Sequence, residues 1–400
     1  QYINKENYTW AKVTIINSLT GIKNKNLEAG FTAYAGIKYR GHSSYSTFDK
    51  KQYRIEFRQG YGEQAAKNYP VMGMAPASDW VLNNPFLDRS LIRNRLLYSV
   101  SRELNVWSPD TRFCEVFLDG EYQGVYLMVE PVTNDEGRLN LARFGLISGQ
   151  TAYIVRRERP GTEDNPISTY GSQNGYTSHE LSIGFPTRRF LTERQRRWIE
   201  NDISRFERVL YSDQFDDPES GYAAYIDVDS FVDYYIINEL SINNDAGELS
   251  TYVYKDLGGK LRKAVWDFNN AFGNTQWEPA NFEKFYVAES NWYDRLFRDK
   301  AFTDAVISRY RELRRGVLSE ENLLRLVYEN VEYLGEAIDR NFAIWGYTFN
   351  CELQLFVDPQ EIIRDPSNYK EAVQQLKDAI VERGNFLDQN IEKLYQYAIN

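Results

Sequence analysis

The stretch YIDVDSFVDYYIINELSINNDAGELSTYVYKDLGGKLRKAVWDFNNAFGN, residues 225–274, decides how the chain is read. Ser230 with Asp233 predicts a helix start, and the apolar run behind them carries that helix through Leu240. Asn243-Asn244-Asp245 follows directly. Next comes a predicted hairpin, Thr251–Lys255 and Leu261–Phe268, around a turn at Gly258-Gly259. A hairpin returns to its own start, so Asp245 before it and Asp267 at its far end are expected to point into one site. Two carboxylates with nearby amides form a hard, oxygen-rich site suited to Mg²⁺ or Mn²⁺. On spacing alone a plainer reading stays open. Asp245 then ends a helix turn and Asp267 caps a strand.

Towards the N-terminus the pattern is mainly strands: 12–17, 35–39, and Gln52–Phe57, which alternates with Tyr53, Ile55 and Phe57 on one face. Strands over 112–118 and 122–130 are joined across Asp119-Gly120, a strong two-residue hairpin signal. Between the 52–57 and 112–118 strands a helix is predicted over Arg89–Leu104, with Ile92, Leu96, Val100 and Leu104 on one stripe and Asp88 as N-cap. Arg40-Gly41-His42-Ser43-Ser44 lies between strands, with Lys50-Lys51 just beyond. Such a loop can offer donors to phosphate oxygens, and a following lysine can neutralise their charge. The pattern equally suits a polar hairpin with a solvated lysine pair, in which His42 is a loop hydrogen-bonder. Arg93 and Asn94 sit in the predicted helix, and Glu130 ends a strand.

The second half reads mainly as helices. Thr192 with Gln195 forms a capping box before Ile199, Ile203, Phe206 and Leu210. Further amphipathic helices follow Ser319 and run from Lys370 to the C-terminus. The hairpin at 251–268 is the one interruption expected, and 159–175, rich in Pro, Gly, Ser and Asn, reads as a surface loop. A strand-rich part followed by a helix-rich part predicts an α+β, bilobal molecule, an N-lobe over about residues 1–131 and a C-lobe over about 132–400, with the cleft between them as the natural place for a ligand.

Composition narrows the chemistry. The 400 residues hold two histidines, His42 and His179, and two cysteines, Cys114 and Cys351, against 57 Asp and Glu. A cysteine-rich zinc site is excluded, and no nucleophile motif lies near either histidine. Catalysis would have to run on carboxylates, lysines, arginines and backbone dipoles. The formal net charge of −10 argues against nucleic acid as a general partner. The arginines at 188, 189, 194, 196 and 197 stand beside Glu193 and Glu200 and read as a solvated helix face. No apolar run approaches the roughly 18 residues of a membrane span. The chain opens on Gln1, which reads as a processed or trimmed start, so the lack of a signal peptide says nothing about export.

Several stretches in order resemble the CotH family of atypical, secretory-type protein kinases, first known from spore coats. They are RGHSSYSTFDKKQYRIEF (40–57), DWVLNNPFLDRSLIRNRLLYSVSREL (79–104), RFCEVFLDGEYQGVYLMVE (112–130), the 225–256 stretch and VWDFNNAFGN (265–274). Residues 292–314 and Arg340–Phe342 also fit, so the likeness covers nearly the whole chain. The resemblance implies a kinase-like bilobal fold in one domain. It also implies ATP- and Mg²⁺- or Mn²⁺-dependent phosphoryl transfer to Ser/Thr hydroxyls of a protein substrate, and a secreted or cell-envelope setting. By position, Asp245 matches the catalytic aspartate and Asn243 an amide before it. Asp267 matches the metal-binding aspartate. Lys51, or less well Lys50, matches the nucleotide-phosphate lysine, and Arg40, Ser43 and Ser44 match the loop over the phosphates. Arg93, Asn94 and Glu130 match family positions on the nucleotide side. The chain has His42 where the family often has Asn. It has Asn269 where the family commonly has a second aspartate, leaving an uncharged amide oxygen for the cation. Two alternatives stand beside a kinase: a non-catalytic envelope protein or pseudokinase binding glycan or protein partners, and a nucleotide-using enzyme with another acceptor.

Overall fold

The structure is a computed structural model that describes residues 2–16, 29–142, 149–158, 165–274, 280–349 and 366–399. Among them the fold is mixed α/β, with two antiparallel sheets and ten α-helices. The first sheet holds β1 (Thr9–Ile16), β2 (Ala29–Arg40), β3 (Gln52–Arg58), β4 (Asp79–Asn83), β5 (Thr111–Leu118) and β6 (Glu121–Val129), in the order β1-β2-β3-β4-β6-β5. The short helix α1 (Ser43–Thr47) joins β2 to β3, and α2 (Arg93–Ser101) lies between β4 and β5 in sequence. The second sheet holds β7 (Tyr153–Arg157), β8 (Pro166–Ile167), β9 (Leu181–Phe185), β10 (Thr251–Lys255) and β11 (Arg262–Ala264), in the order β11-β10-β7-β9-β8. The remaining helices are α3 (Tyr170–Gln173), α4 (Glu193–Leu210), α5 (Val228–Leu240), α6 (Tyr293–Leu296), α7 (Lys300–Leu313), α8 (Glu320–Leu334), α9 (Ala337–Trp345) and α10 (Tyr369–Asn390). None is long and apolar enough to cross a membrane.

Strand alternation divides the first sheet into two faces. Tyr53, Ile55 and Phe57 pack with Trp80, Leu82, Tyr126 and Met128 on one of them. On the other, Val81, Val125, Leu127 and Val129 pack with Leu96, Leu97 and Val100 of α2. The register pairs Arg40 with Gln52 and Lys38 with Arg54, so these polar side chains share that second face beside the α2-covered half. The hairpin from β5 to β6 turns through Asp119 and Gly120, both at positive φ (50° and 86°), as the Asp-Gly pair predicts.

Helix α5 is buried along almost its whole length, from Ser230 to Leu240. Its polar residues fasten neighbouring elements. Asp233 accepts from Arg309 at 2.9 and 3.1 Å and from the Asn105 N–H at 2.7 Å. Glu239 pairs with Arg383 of α10 and accepts the Val287 N–H at 2.8 Å. The capping box of α4 is present, with Thr192 accepting from the Gln195 N–H at 3.3 Å and Gln195 Oε1 from the Thr192 N–H at 3.0 Å.

Several local expectations change. Helix α2 starts at Arg93 rather than Arg89, because Leu91 sits at φ 67° and breaks the first turn. Asp88 instead takes the N–H groups of Ser90 and Arg93 at 3.1 and 2.7 Å. Helix α5 begins at Val228, capped by Asp227, whose carboxylate accepts from the Ser230 N–H at 3.0 Å. Strand β11 stops at Ala264, since the Val265 N–H goes to Trp107 O at 2.9 Å. The loop expected over 159–175 contains β8 and α3, with 159–164 outside the described residues. The second half also carries β7, a short buried run without alternation, and β9, whose Leu181, Ile183 and Phe185 alternate over only five residues.

Candidate functional site

After α5 the chain turns sharply at Ile242, a β-branched residue at φ 53°, where such side chains are rarely tolerated. The turn places Asn243 back under the helix end. Its N–H donates to Asn238 O at 2.9 Å, and its Nδ2 donates to Asn238 Oδ1 at 2.8 Å and to Asp267 O at 3.4 Å. The backbone oxygen of Asp245 then accepts from Leu249 N–H at 2.7 Å, closing the loop that leads into β10. Within that loop Gly247 lies at φ 86° with its oxygen held by Arg157 at 2.9 Å and Asn291 at 3.0 Å.

The β10–β11 hairpin brings the chain back, pairing Tyr252 with Ala264, and Asp267 follows at φ 59°. Its N–H donates to the Tyr98 hydroxyl at 3.0 Å. Its Oδ1 accepts from Asn269 Nδ2 at 2.5 Å. Asn270 Nδ2 reaches across to Asp245 Oδ2 at 3.4 Å. Burial pushes the half-buried Asp267 carboxyl up to about 6, the charges of Asp245 and Glu158 push the same way, and Arg40 opposes them. Asp245 and Asp267 therefore share one electrostatic environment, with Glu158 as a third acid that no local motif distinguished.

Helix α2 grips the same segment. Asn94 Oδ1 accepts from the Phe268 N–H at 2.8 Å, and its Nδ2 donates to Asn269 Oδ1 at 2.7 Å. Arg93 Nε donates to Ala271 O at 2.9 Å, while its Nη1 is held by Asp88 at 2.6 Å and Ser90 at 3.1 Å. Arg93 thus braces the backbone and keeps its charge paired internally.

From the first sheet, Arg40 donates to Gln52 Oε1 at 2.8 Å and stacks over Trp266 at 5.6 Å. Burial lowers its pKa, and the Asp267 charge is among those that offset this. Arg54, on the same face, is fixed by a bidentate pair with Asp79 at 2.9 and 2.5 Å. Sequence reading passed over Arg54 because nothing local separates it from a surface arginine.

The other expected residues are engaged elsewhere. Lys51 Nζ donates to the backbone oxygens of Tyr45 and Phe48 at 2.8 and 2.6 Å, closing the end of α1. Lys50 Nζ donates to Val125 O at 2.6 Å. Ser43 and Ser44 lie in α1, and the side chain of Ser43 falls outside the described residues. Gly41 precedes them at φ 98°, where a Cβ would meet Ser44 Oγ at 2.0 Å, so this turn requires glycine. His42 is exposed, and its backbone oxygen accepts from the Ser46 N–H at 3.4 Å. Glu130 is buried at the end of β6, accepting from the Asp110 N–H at 2.9 Å, and burial raises its pKa. Cys114 is a free thiol on β5, and Cys351 lies outside the described residues.

The donor set suits a hard cation. Asn243 Oδ1 is buried without a hydrogen-bond partner among the described residues, and it belongs to the amide that touches the Asp267 backbone. A buried oxygen of this kind calls for a partner from water or ligand. Among the described residues no group of three or more His, Cys, Asp or Glu side chains could hold a metal. An ion here would draw on one or two carboxylates and complete its shell with water, amide oxygens and ligand phosphates, which is the usual manner of Mg²⁺.

Comparison with known proteins adds to this geometry. Residues 37–387 match a family described as CotH kinase protein. The chain is also 28% identical over 239 residues to the inner spore coat protein H of Bacillus subtilis (strain 168). That alignment spans 59% of this chain and 58% of the relative's length.

Proposed function

The chain belongs to the CotH kinase protein family, and from that premise we propose that it is a divalent-metal-dependent kinase transferring the γ-phosphate of ATP to Ser/Thr hydroxyls of a protein. In this reading the first sheet with α2 forms the N-lobe of a bilobal, single-domain kinase-like fold, and the remainder forms the C-lobe. One observation supports it above others. Asp245, Asp267 and Arg40 share one electrostatic environment beside the Asn243 oxygen that has no hydrogen-bond partner among the described residues.

Phosphoryl transfer depends on positioning and charge neutralisation more than on covalent chemistry by the protein. Mg²⁺ or Mn²⁺, when bound, supplies neutralisation of the nucleotide phosphates, and Asp267 is the residue that would hold it. Asp245 orients the acceptor hydroxyl and takes its proton. Arg40 lends positive charge to the phosphates from the sheet side. The resemblance assigns Ser43, Ser44 and Lys51 to the nucleotide as well, which for Lys51 requires its Nζ to leave the Tyr45 and Phe48 carbonyls. The relative's name puts that protein in the spore coat, and a coat or envelope setting is the corresponding proposal for this chain.

The test is transfer of labelled phosphate from ATP with Mn²⁺ to a Ser/Thr-containing protein acceptor. Asp245→Ala and Asp267→Ala should each abolish transfer while leaving the circular dichroism spectrum intact, and full activity in either would overturn the assignment. A nucleotide-binding pseudokinase is the second reading. It is favoured by Asn269, which directs its amide nitrogen at Asp267 in place of a second charge. Nucleotide binding by the wild type without transfer to any acceptor would select it.

A further inference from the structure

A chain of side-chain amides runs from Asp267 into the first sheet. Asp267 Oδ1 accepts from Asn269 Nδ2 at 2.5 Å, and Asn269 Oδ1 accepts from Asn94 Nδ2 at 2.7 Å. Asn94 Nδ2 also donates to Asn83 Oδ1 at 3.1 Å. Asn83 Nδ2 meets Gln52 Oε1 at 3.5 Å, and Gln52 Oε1 accepts from Arg40 at 2.8 Å. Asn94 and Asn83 are both buried.

The amide inventory makes this arrangement directional. A side-chain amide has one oxygen acceptor and two N–H donors. Asn94 uses both donors, on Asn269 and Asn83, and its oxygen receives the Phe268 N–H. Turning its amide over would oppose like groups at all three contacts. With Asn94 so fixed, Asn269 turns its nitrogen to Asp267 and its oxygen to Asn94 Nδ2. An aspartate at 269 could not donate to Asp267 and would repel it.

We propose that Asn269 is a positioning residue, not a metal ligand, and that Asn94 and Asn83 hold it so that Asp267 presents its other oxygen to a single divalent cation. This deepens the metal–nucleotide reading given above and rests on it. The asparagine at 269 then exchanges a second metal-binding charge for a fixed orientation of the first. Residues one step removed from a ligand tune metal affinity in this way.

The experiment is a Mn²⁺ titration of the full chain with a non-hydrolysable ATP analogue, following free Mn²⁺ by electron paramagnetic resonance, with melting temperature measured alongside. The wild type should bind one Mn²⁺ per chain. Asn94→Ala and Asn83→Leu should each weaken Mn²⁺ by about tenfold or more while still melting cooperatively. Asn83→Asp, which keeps the oxygen that receives Asn94, should bind like the wild type. Affinity within about twofold of wild type in either folded variant would overturn the proposal, on the scale expected for outer-shell partners. Equal loss in Asn83→Asp and Asn83→Leu, or two Mn²⁺ per wild-type chain, would also overturn it. If Asn94→Ala does not fold, Asn83→Leu decides. A wild type that binds no Mn²⁺ would instead bring down the metal reading itself, so the two failures are distinguishable.

Discussion

Lys50 and Asn341 meet at 3.0 Å, the Nζ of one donating to the Oδ1 of the other across 291 residues of sequence. The same Asn341 oxygen accepts the Val125 N–H at 3.0 Å, and Lys50 makes a second bond to Val125 O at 2.6 Å. The Tyr126 and Trp345 rings lie 4.7 and 5.7 Å from the Nζ. Helix α9, from late in the chain, is thereby pinned to β6 of the first sheet. Gly124 permits the approach, since a Cβ there would sit 2.5 Å from Asn341 Oδ1.

Burial pulls the Lys50 pKa down to about 7 from an ordinary 10.5. A neutral amine has two N–H groups, and both find acceptors here. Between these two pH values the unfolded chain holds the proton more tightly than the folded one, so the group opposes folding most at and below pH 7 and less as pH rises. Thermal melts should show wild-type stability rising relative to Lys50→Met between about pH 7 and 9. Parallel pH profiles for the two proteins would contradict the assignment.

Asp267 has the opposite sign. Its folded pKa of about 6 lies above the ordinary 3.8, so it favours folding fully below that lower value and loses this contribution as pH rises through 6. At neutral pH the buried charge is a burden on the fold. Asp267→Asn should therefore raise the melting temperature at neutral pH while abolishing Mn²⁺ binding. For the wild type, Mn²⁺ affinity should fall as pH drops below about 6, because the ligand must be deprotonated.

Gly247 occupies φ 86°, and a Cβ would come 2.2 Å from Ser290 Oγ. Gly247→Ala should destabilise by about 1–3 kcal/mol in urea denaturation, from backbone strain alone. Because Gly247 lies two residues beyond Asp245, phosphate transfer should fall more steeply than stability.

Arg383 and Glu239 form a fully buried pair between α10 and α5. Arg383 also holds the Phe282 and Lys284 carbonyls at 2.7 and 2.8 Å. Arg383→Met strands the Glu239 charge and should cost about 3–5 kcal/mol. Adding Glu239→Gln in the same chain should recover part of that loss, which a double-mutant cycle in urea would measure.

Where a signal is local, the structure follows it. The Asp119-Gly120 turn, the Thr192–Gln195 capping box and the return of the 251–264 hairpin each depend on a few neighbouring residues. The helix starts expected at Arg89 and Ser230 shift to Arg93 and Val228 because a competing local group, Leu91 at positive φ or the Asp227 carboxylate, takes over the first turn. The second sheet was only partly legible, as buried strands such as Tyr153–Arg157 do not alternate.

The sequence by itself determined most of the first sheet and of the long helices, the two acids flanking one hairpin and the family. Those rest on periodicity, turn chemistry and motif order, which are properties of neighbouring residues. Tertiary structure decided which polar groups meet. It sent Lys50 to Asn341 and Lys51 to the α1 carbonyls, partners that the two adjacent lysines do not reveal in the sequence. It also joined Asn83, Gln52 and Asn94 into one path ending at Asp267. Hydrogen bonds are short and directional, so their partners are chosen only once strands and helices distant in sequence are packed against one another.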